Sequence, residues 1–425
     1  MRSSCPRPNR RRVVALLFML LAAACTKGPQ QRPAGELVWA IGGIDAKENG
    51  LAHGVADLWN AHHPDGPLVR VVALPSSADE QRQLMTVELN AGLEEFDILS
   101  LDVVWTGEFA ESGWIVDLQE MRHDVERVTL PAPFRSATWK GKLWAAPFNS
   151  GAGILYYRTD LVPTPPTTWE ELVKVGTAQA ASRPGMVPFA GQGAQYEGLV
   201  VNFLEYFWSA GGGDVLDPAG RAVHFEEEPA TQAIDFMQRS FASGFYPPAF
   251  RTMAEGEALD LFRSGKAVFM RNWPYAYAEV TADTSPIRGR VNIAALPSFP
   301  GRGSVSALGG QNLAVSRFSD NVKGAKAFVR FASTDAEVQR LIGTFASAPT
   351  MASVYKDLAG DRLMELLAQV LPDAKARPPA PNWAAISDEV QQQVYPVYTA
   401  APDPARTDRA VRSIRDFLAL SLRER

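Results

Sequence analysis

Short apolar runs alternate with segments of helical periodicity near the start of this chain of 425 residues. The runs are residues 37–41, 68–74 and 97–101, and each is expected to form a buried strand. Three side chains of the second intervening helix are expected to face the core: Leu84, Met85 and Leu89. Strands that alternate with helices of 10 to 15 residues predict βαβ units and a parallel sheet.

A second set of patterns begins after residue 144. Residues 144–153 precede the apolar run 154–157, and we interpret this stretch as a crossing into a second lobe. Helices are expected in this lobe at 168–179, 198–210, 229–243 and 255–264. The run 291–296 is expected to lead back to the first lobe. Residues 308–312 directly precede a predicted strand at 313–316. A chain that crosses between lobes more than once makes a hinge and a cleft.

The predicted lobe limits follow from these crossings. The first lobe is expected to comprise residues 36–148 and 309–350, and the second residues 149–308 and 351–425. Gly42, Gly43 and Asp102 come directly after strands of the first lobe. Ligands of open α/β sheets bind beyond the carboxyl ends of strands, so the ligand is expected there.

The first 24 residues have the pattern of a secretory signal. Five arginines without an acid precede an apolar run at 13–21, which is too short to span a bilayer permanently. Small residues followed by Cys25 resemble a bacterial lipoprotein signal, and that resemblance implies a lipid on Cys25 and a tether at 25–35. Ala22 stands where that pattern usually has leucine, and the small residues also suit ordinary cleavage. We expect an exported chain, periplasmic or held at the outer face of a membrane.

Charge and cysteine content exclude some classes of partner. Without residues 1–24, 37 basic residues face 47 acidic ones, which argues against a nucleic-acid partner. Cys5 lies in the signal segment, so the exported part has no disulfide, and burial of its core must stabilise it.

The apolar run 267–270 is expected to form a strand of four residues, and the aromatic cluster of residues 271–277 follows it. Pro274 is expected in the first turn of a helix, so that Trp273 lies where a strand meets a helix. A flat indole at that position suits the C–H face of a pyranose ring, with Tyr275 and Tyr277 offering hydroxyls at the rim. The alternative is that these aromatic side chains fill the core.

Several blocks of sequence, in the same order, resemble the trehalose/maltose-binding proteins of ABC sugar importers. These blocks are residues 101–107, 111–114, 193–200, 271–277, 308–310 and 377–378. The resemblance implies an α/β, two-lobed, periplasmic-binding-protein-like fold with a hinge-linked cleft. It also implies a monomer without cofactor or catalytic residues, which binds a disaccharide such as trehalose or maltose and delivers it to the transmembrane permease subunits.

The same resemblance implies roles for individual residues. Asp102 and Glu255 resemble the acids that accept hydrogen bonds from sugar hydroxyls, and Trp273 resembles the stacking tryptophan. Gly310 resembles a backbone contact, and Arg377 resembles the guanidinium that spans hydroxyls and carboxylates. Glu48, in the loop after the first strand, resembles an amino-terminal acid of the site.

Three residues, in two places of the chain, depart from the family pattern. Asn149 and Gly151 stand where the archaeal type has tyrosine and aspartate, and Gln311 stands where it has tryptophan after the paired glycines. Asparagine can still donate to and accept from a hydroxyl. We therefore include Asn149 and Gln311 in the predicted binding site.

Other interpretations of the same residues remain open. Asp102 could cap a helix, Glu255 could stabilise a first helical turn, and Arg377 could be a solvated loop residue. A secreted glycoside hydrolase acting on α-glucosides would also have acids and tryptophans in a cleft. The histidines near one helix end lack a partnered set of carboxylates, so no metal site is expected: His53, His62 and His63.

Overall fold

The structure is a computed structural model that describes residues 35–216, 222–378 and 380–422. The predictions for the signal, for Cys25 and for the tether up to residue 34 lie outside these ranges. Within the described residues, no helix is long and apolar enough to cross a membrane.

The described residues contain twelve strands, most of them short. They are β1 (Glu36–Ile41), β2 (Leu68–Ala73), β3 (Ile98–Asp102), β4 (Thr138–Trp139), β5 (Lys142–Leu143), β6 (Ala146–Ala152), β7 (Ile154–Arg158), β8 (Val187–Ala190), β9 (Ala267–Asn272), β10 (Val291–Ala294), β11 (Leu308–Val315) and β12 (Ala348–Pro349).

Sixteen α-helices accompany these strands in the described ranges. They are α1 (Leu51–His62), α2 (Ala78–Asn90), α3 (Thr106–Glu111), α4 (Arg122–Val128), α5 (Pro131–Ser136), α6 (Trp169–Ala181), α7 (Glu197–Ser209), α8 (Glu227–Ala242), α9 (Glu255–Arg263), α10 (Ala276–Thr281), α11 (Val322–Thr334), α12 (Ala336–Thr344), α13 (Val354–Asp357), α14 (Arg362–Val370), α15 (Trp383–Tyr398) and α16 (Pro404–Ser421).

The first lobe is built on a six-stranded sheet with the order β12–β6–β11–β3–β1–β2. β1 and β3 are parallel, as predicted, and both are buried along almost their whole length. The prediction of a parallel sheet is wrong for the other half, because β11 runs antiparallel to β3 and to β6, and β12 runs antiparallel to β6. β11 arrives late in the chain from the second lobe and enters the sheet in the opposite direction to β3 and β6.

Two burial predictions in this lobe are wrong. β2 lies at an edge of the sheet, so Leu68 is 54% exposed and Val69 is the strand's one buried apolar residue. On α2, Met85 and Leu89 are buried as expected, but Leu84 is 41% exposed. Leu84 directly precedes Met85 and points away from the face that the helix turns toward the core.

The second lobe is built on a four-stranded sheet with the order β10–β7–β9–β8. β7 is antiparallel to β9 and β10, and β8 is parallel to β9. The helices predicted for this lobe are present as α6, α7, α8 and α9. At the start of α6, Thr168 accepts a hydrogen bond from the backbone N–H of Glu171, as expected of a capping residue.

The strand before Trp273 is longer than predicted. β9 extends to Asn272, so Trp273 follows the strand directly. Pro274 lies in a turn before α10 and not in its first helical turn, because the N–H of Ala276 bonds the carbonyl of Trp273 and the helix begins only there. Trp273 nevertheless lies between a strand and a helix, as expected.

Helix α7 is buried on every side. It packs against α8 and α15, so the helices near the end of the chain complete the second lobe. A helix that is buried on every side needs such a cover to exclude water.

The chain passes from one sheet to the other at Gly153, between β6 and β7. It returns between β10 and β11, and it passes to the second lobe again after β12. These passages form the hinge. The two-lobed α/β fold is confirmed, whereas the residue limits of the lobes stay a prediction.

A buried ion pair lies against two of these passages. Arg271 donates to Glu205 through Nε (2.9 Å) and Nη2 (2.6 Å), and both side chains are almost fully buried. The N–H of Ala307 also donates to Glu205, at 3.1 Å. A Cβ atom at Gly153 would lie 2.2 Å from a Glu205 carboxylate oxygen, so only glycine allows the backbone to pass this pair.

We expect Glu205→Gln to lower the free energy of unfolding by about 3 to 5 kcal/mol, because it leaves the Arg271 charge buried without its counter-ion. Urea unfolding of the variant measures this loss. Glu228→Gln, at an exposed position of α8, is the matched control and should change little. Equal stability of the two variants would mean that the pair does not hold the hinge.

Candidate functional site

A cavity of about 210 Å³ lies between the two sheets, and residues of both lobes line it. Seven of the eight predicted binding residues are among its lining residues: Asp102, Asn149, Glu255, Trp273, Gly310, Gln311 and Arg377. Tyr275, which was expected at the rim, also lines it, as do side chains that were not predicted, including Asp45, Gln81, Tyr196 and Glu197. Glu48 and Tyr277 are not among the lining residues.

Asp102 lies at the carboxyl end of β3, where a ligand was expected. Its Oδ1 accepts a hydrogen bond from the backbone N–H of Val104 at 3.1 Å and a charged one from Nη2 of Arg377 at 2.8 Å. The first bond shapes the turn after the strand and does not cap α3, whose N-cap residue is Trp105, so the alternative role of a helix cap is wrong. The second bond ties the first lobe to a segment that comes late in the chain.

Arg377 joins Asp102 to Glu197, the first residue of α7. Nη1 of Arg377 donates to Glu197 at 2.6 Å, and the Arg377 side chain is only 2% exposed. Its Nε atom is buried without a hydrogen-bond partner among the described residues. Arg377 is therefore not a solvated loop residue, and one donor of its guanidinium is unpaired among the described residues.

Glu197 was missed by the sequence analysis, although it stands inside one of the matched blocks. Besides Arg377, it accepts hydrogen bonds from Nε1 of Trp383 (3.0 Å) and from the hydroxyl of Ser387. Burial raises the pKa of Glu197, and Arg377 opposes that rise. These three partners of its carboxylate come from α15 and the preceding segment, 180 to 190 residues away, so no local pattern identifies them.

Trp273 is held from several directions. The ring packs on Gly309, where an added Cβ atom would lie only 2.7 Å from it. The Arg271 guanidinium lies 4.2 Å from the ring centroid, which is the geometry of a cation–π contact. Nε1 of Trp273 donates to Glu255 at 3.3 Å. The indole is thus a fixed wall of the cavity and not a buried core side chain.

Glu255 lies at the start of α9 and bonds two aromatic side chains. In addition to the bond from Trp273, Oε2 of Glu255 accepts a hydrogen bond from the hydroxyl of Tyr196 at 2.6 Å. Burial, followed by the charge of Glu255, raises the pKa of Tyr196 well above its ordinary value. Tyr196 therefore stays protonated and orients the carboxylate toward the cavity.

Asn149 connects two neighbours on the first-lobe side of the cavity. Its Nδ2 donates to Oδ2 of Asp45 at 3.0 Å, and its Oδ1 accepts from the backbone N–H of Gln311 at 2.9 Å. Gln311 Oε1 is buried without a partner among the described residues. The carbonyl of Gly310 accepts from the N–H of Val103 at 3.3 Å, which fixes the backbone beside this group.

The amino-terminal acid of the cavity is Asp45 and not Glu48. Residues Gly43–Ala46 form a single 3-10 turn directly after β1, and this turn brings Asp45 to Asn149. Glu48 comes after the turn and is exposed. The sequence shows both acids within four residues, but the direction of an irregular loop carries no periodic signal that separates them.

Asp45 is an acid of this cavity whose pKa lies well above its ordinary value. Burial raises its pKa from 3.8 to about 6, and the hydrogen bond from Asn149 offsets part of that rise. An acid whose pKa rises on folding favours the folded state when it is protonated. The favourable contribution of Asp45 to the free energy of unfolding is complete below about pH 4 and is lost as the pH rises through about 6.

We expect Asp45→Asn to raise the thermal unfolding midpoint by a few degrees at pH 7.5 and to leave it unchanged at pH 4, where the acid is already neutral. Calorimetric scans at the two pH values measure the difference from the unchanged protein. Glu48→Gln should show no such difference at either pH. A loss of stability at pH 7.5 would mean that the ionised Asp45 is favourable in the fold.

Comparisons with known proteins agree with this architecture. Residues 46–339 match the family described as bacterial extracellular solute-binding protein. A probable ABC transporter-binding protein of Deinococcus radiodurans is 35% identical over 368 residues, which cover 82% of this chain and 86% of the relative.

Solved structures give the same result. A maltose-bound MalE3 of T. maritima superposes with a TM-score of 0.80 at 32% identity, over 91% of this chain and 99% of that one. A solute-binding protein of Thermotoga lettingae, bound with α-D-tagatose, has the same TM-score at 20% identity, over 92% of this chain and all of that one, and shows the fold alone. This chain belongs to the bacterial extracellular solute-binding proteins, and it is an exported binding protein and not an enzyme.

Proposed function

We propose that this protein is the sugar receptor of an ABC importer. It binds a disaccharide such as trehalose or maltose in the cavity and delivers it to the transmembrane subunits of a permease. The observation that carries the proposal is the fixed indole of Trp273 at a cavity whose other walls carry carboxylates from both lobes.

The chemistry of this cavity suits a polyhydroxylated ring. An indole offers an apolar face to the C–H groups of a pyranose, and ionised acids accept short, strong hydrogen bonds from its hydroxyls. The free Nε of Arg377 supplies a donor for a sugar oxygen. A volume of about 210 Å³ lies below the usual range of small-molecule sites, roughly 300 to 1,000 Å³, and favours a small sugar over a long oligosaccharide.

Relatives support the same class of ligand. The T. maritima protein, at 32% identity, was solved with maltose bound. Asn149 and Gln311, which depart from the family pattern, both belong to the polar group on the first-lobe side of the cavity. We propose that this group sets which disaccharide is preferred.

In this proposal the two lobes close when the ligand binds. The proposed ligand contacts Asp102, Asn149, Gly310 and Gln311 on one side and Glu255 and Trp273 on the other, with Arg377 between them. A ligand that contacts both lobes favours the closed arrangement and biases an existing equilibrium. In this proposal the receptor is a monomer, loses residues 1–24 on export, and is held at the membrane by a lipid on Cys25.

Calorimetric titration of the protein with trehalose, maltose, sucrose and maltotriose tests the proposed function. Binding of trehalose or maltose supports a disaccharide receptor, and binding of several glucosides broadens the proposal to α-glucosides. If none of the four binds, the proposed function is wrong.

Trp273→Ala is expected to weaken binding of the tightest of these sugars by about 1 to 3 kcal/mol, because a packed aromatic surface is lost. Titration of the variant measures the change in affinity. Tyr277→Ala is the matched control, since this nearby aromatic side chain does not line the cavity. Unchanged affinity in Trp273→Ala would remove the indole from the site.

A further inference from the structure

The cavity has an unequal charge lining. Four carboxylates line it, from Asp45, Asp102, Glu197 and Glu255, and Arg377 is the one basic side chain among its described lining residues. Arg271 lies behind the indole of Trp273 and is neutralised by Glu205. The side chains at the cavity surface therefore carry an excess of negative charge.

Arg377 does not neutralise all four carboxylates of the cavity. Its two terminal nitrogens are engaged by Asp102 and Glu197, and no ion pair to Asp45 or Glu255 is found among the described residues. Glu255 accepts hydrogen bonds from two donors, one on each oxygen. Among the described residues, Asp45 accepts a single hydrogen bond, from Nδ2 of Asn149 to its Oδ2. Asp45 is thus the acid with the least compensation.

A second acceptor without a donor lies in the same polar group. Gln311 Oε1 is buried and has no partner among the described residues, and Gln311 and Asp45 both bond the side chain of Asn149. A neutral hydroxyl has a single hydrogen to donate and satisfies one of these acceptors. An ammonium group has three donors, no acceptor and a positive charge, so it suits both acceptors and the carboxylate charge.

We propose that the cavity prefers an amino sugar, whose ammonium group donates to Asp45 and to the side-chain oxygen of Gln311. This inference rests on the proposed function, since it assumes that the ligand is a sugar. Trp273 contacts a ring of such a ligand, and the free Nε of Arg377 donates to one of its oxygens. An acidic sugar is disfavoured by the same excess of carboxylates.

The test compares neutral sugars with derivatives in which one neutral substituent is replaced by a charged one. The protein is titrated at pH 7.5 with trehalose and maltose, with the 2-amino-2-deoxy and 6-amino-6-deoxy derivatives of each, and with their 6-carboxylates. We expect at least one amino derivative to bind about tenfold or more tightly than its parent, as for a charge-assisted hydrogen bond in place of a neutral one. The carboxylates should bind about tenfold or more weakly than the parents.

The outcomes separate this inference from the proposed function. If the neutral sugars bind as tightly as or more tightly than every amino derivative, the preference for an amine is wrong and the sugar receptor stands. If no sugar in the series binds, the proposed function fails, and this inference fails with it.

A pair of variants tests the role of Asp45. Asp45→Asn should reduce the advantage of the amino derivative to within about threefold of its parent, since the carboxylate charge is lost. Glu255→Gln, which alters the other acid without an ion pair, should retain the advantage. The reverse result would overturn the assignment to Asp45. A thermal midpoint at or above that of the unchanged protein shows that Asp45→Asn is folded.

Discussion

The buried pair of Arg271 and Glu205 is the interaction on which the arrangement of the two lobes depends. It fills the space between the passages at Gly153 and Ala307, where the chain moves between the two sheets. The same guanidinium lies 4.2 Å from the ring of Trp273. One charged group therefore supports both the hinge and a wall of the cavity, so the position of the indole is coupled to the geometry of the hinge.

Much of this fold could be predicted because local patterns determine it. The apolar run of β1 is flanked by a helical segment with its own period, and the two periods distinguish strand from helix without tertiary information. Asp102 could be placed at a ligand site because the carboxyl end of a strand in an open α/β sheet is a known position for ligands. Trp273 could be placed because the strand and turn around it are both short and local.

Other features depend on contacts between distant segments. The direction of β11 follows from where the chain re-enters the first lobe, which periodicity does not contain. The role of Glu197 depends on Trp383 and Ser387, nearly 190 residues further along. The choice between Asp45 and Glu48 depends on a single 3-10 turn, whose direction is set by packing against the neighbouring helix and strand.

The position of β11 has a consequence for the order in which the chain folds. This strand lies between β3 and β6, yet it follows them by more than 150 residues. The amino-terminal strands cannot complete their sheet until about three quarters of the chain has emerged from the ribosome. Pairings over such separations form slowly. A chain that is exported unfolded crosses a membrane before it folds, and a central strand that is synthesised late delays completion of the first-lobe sheet until then.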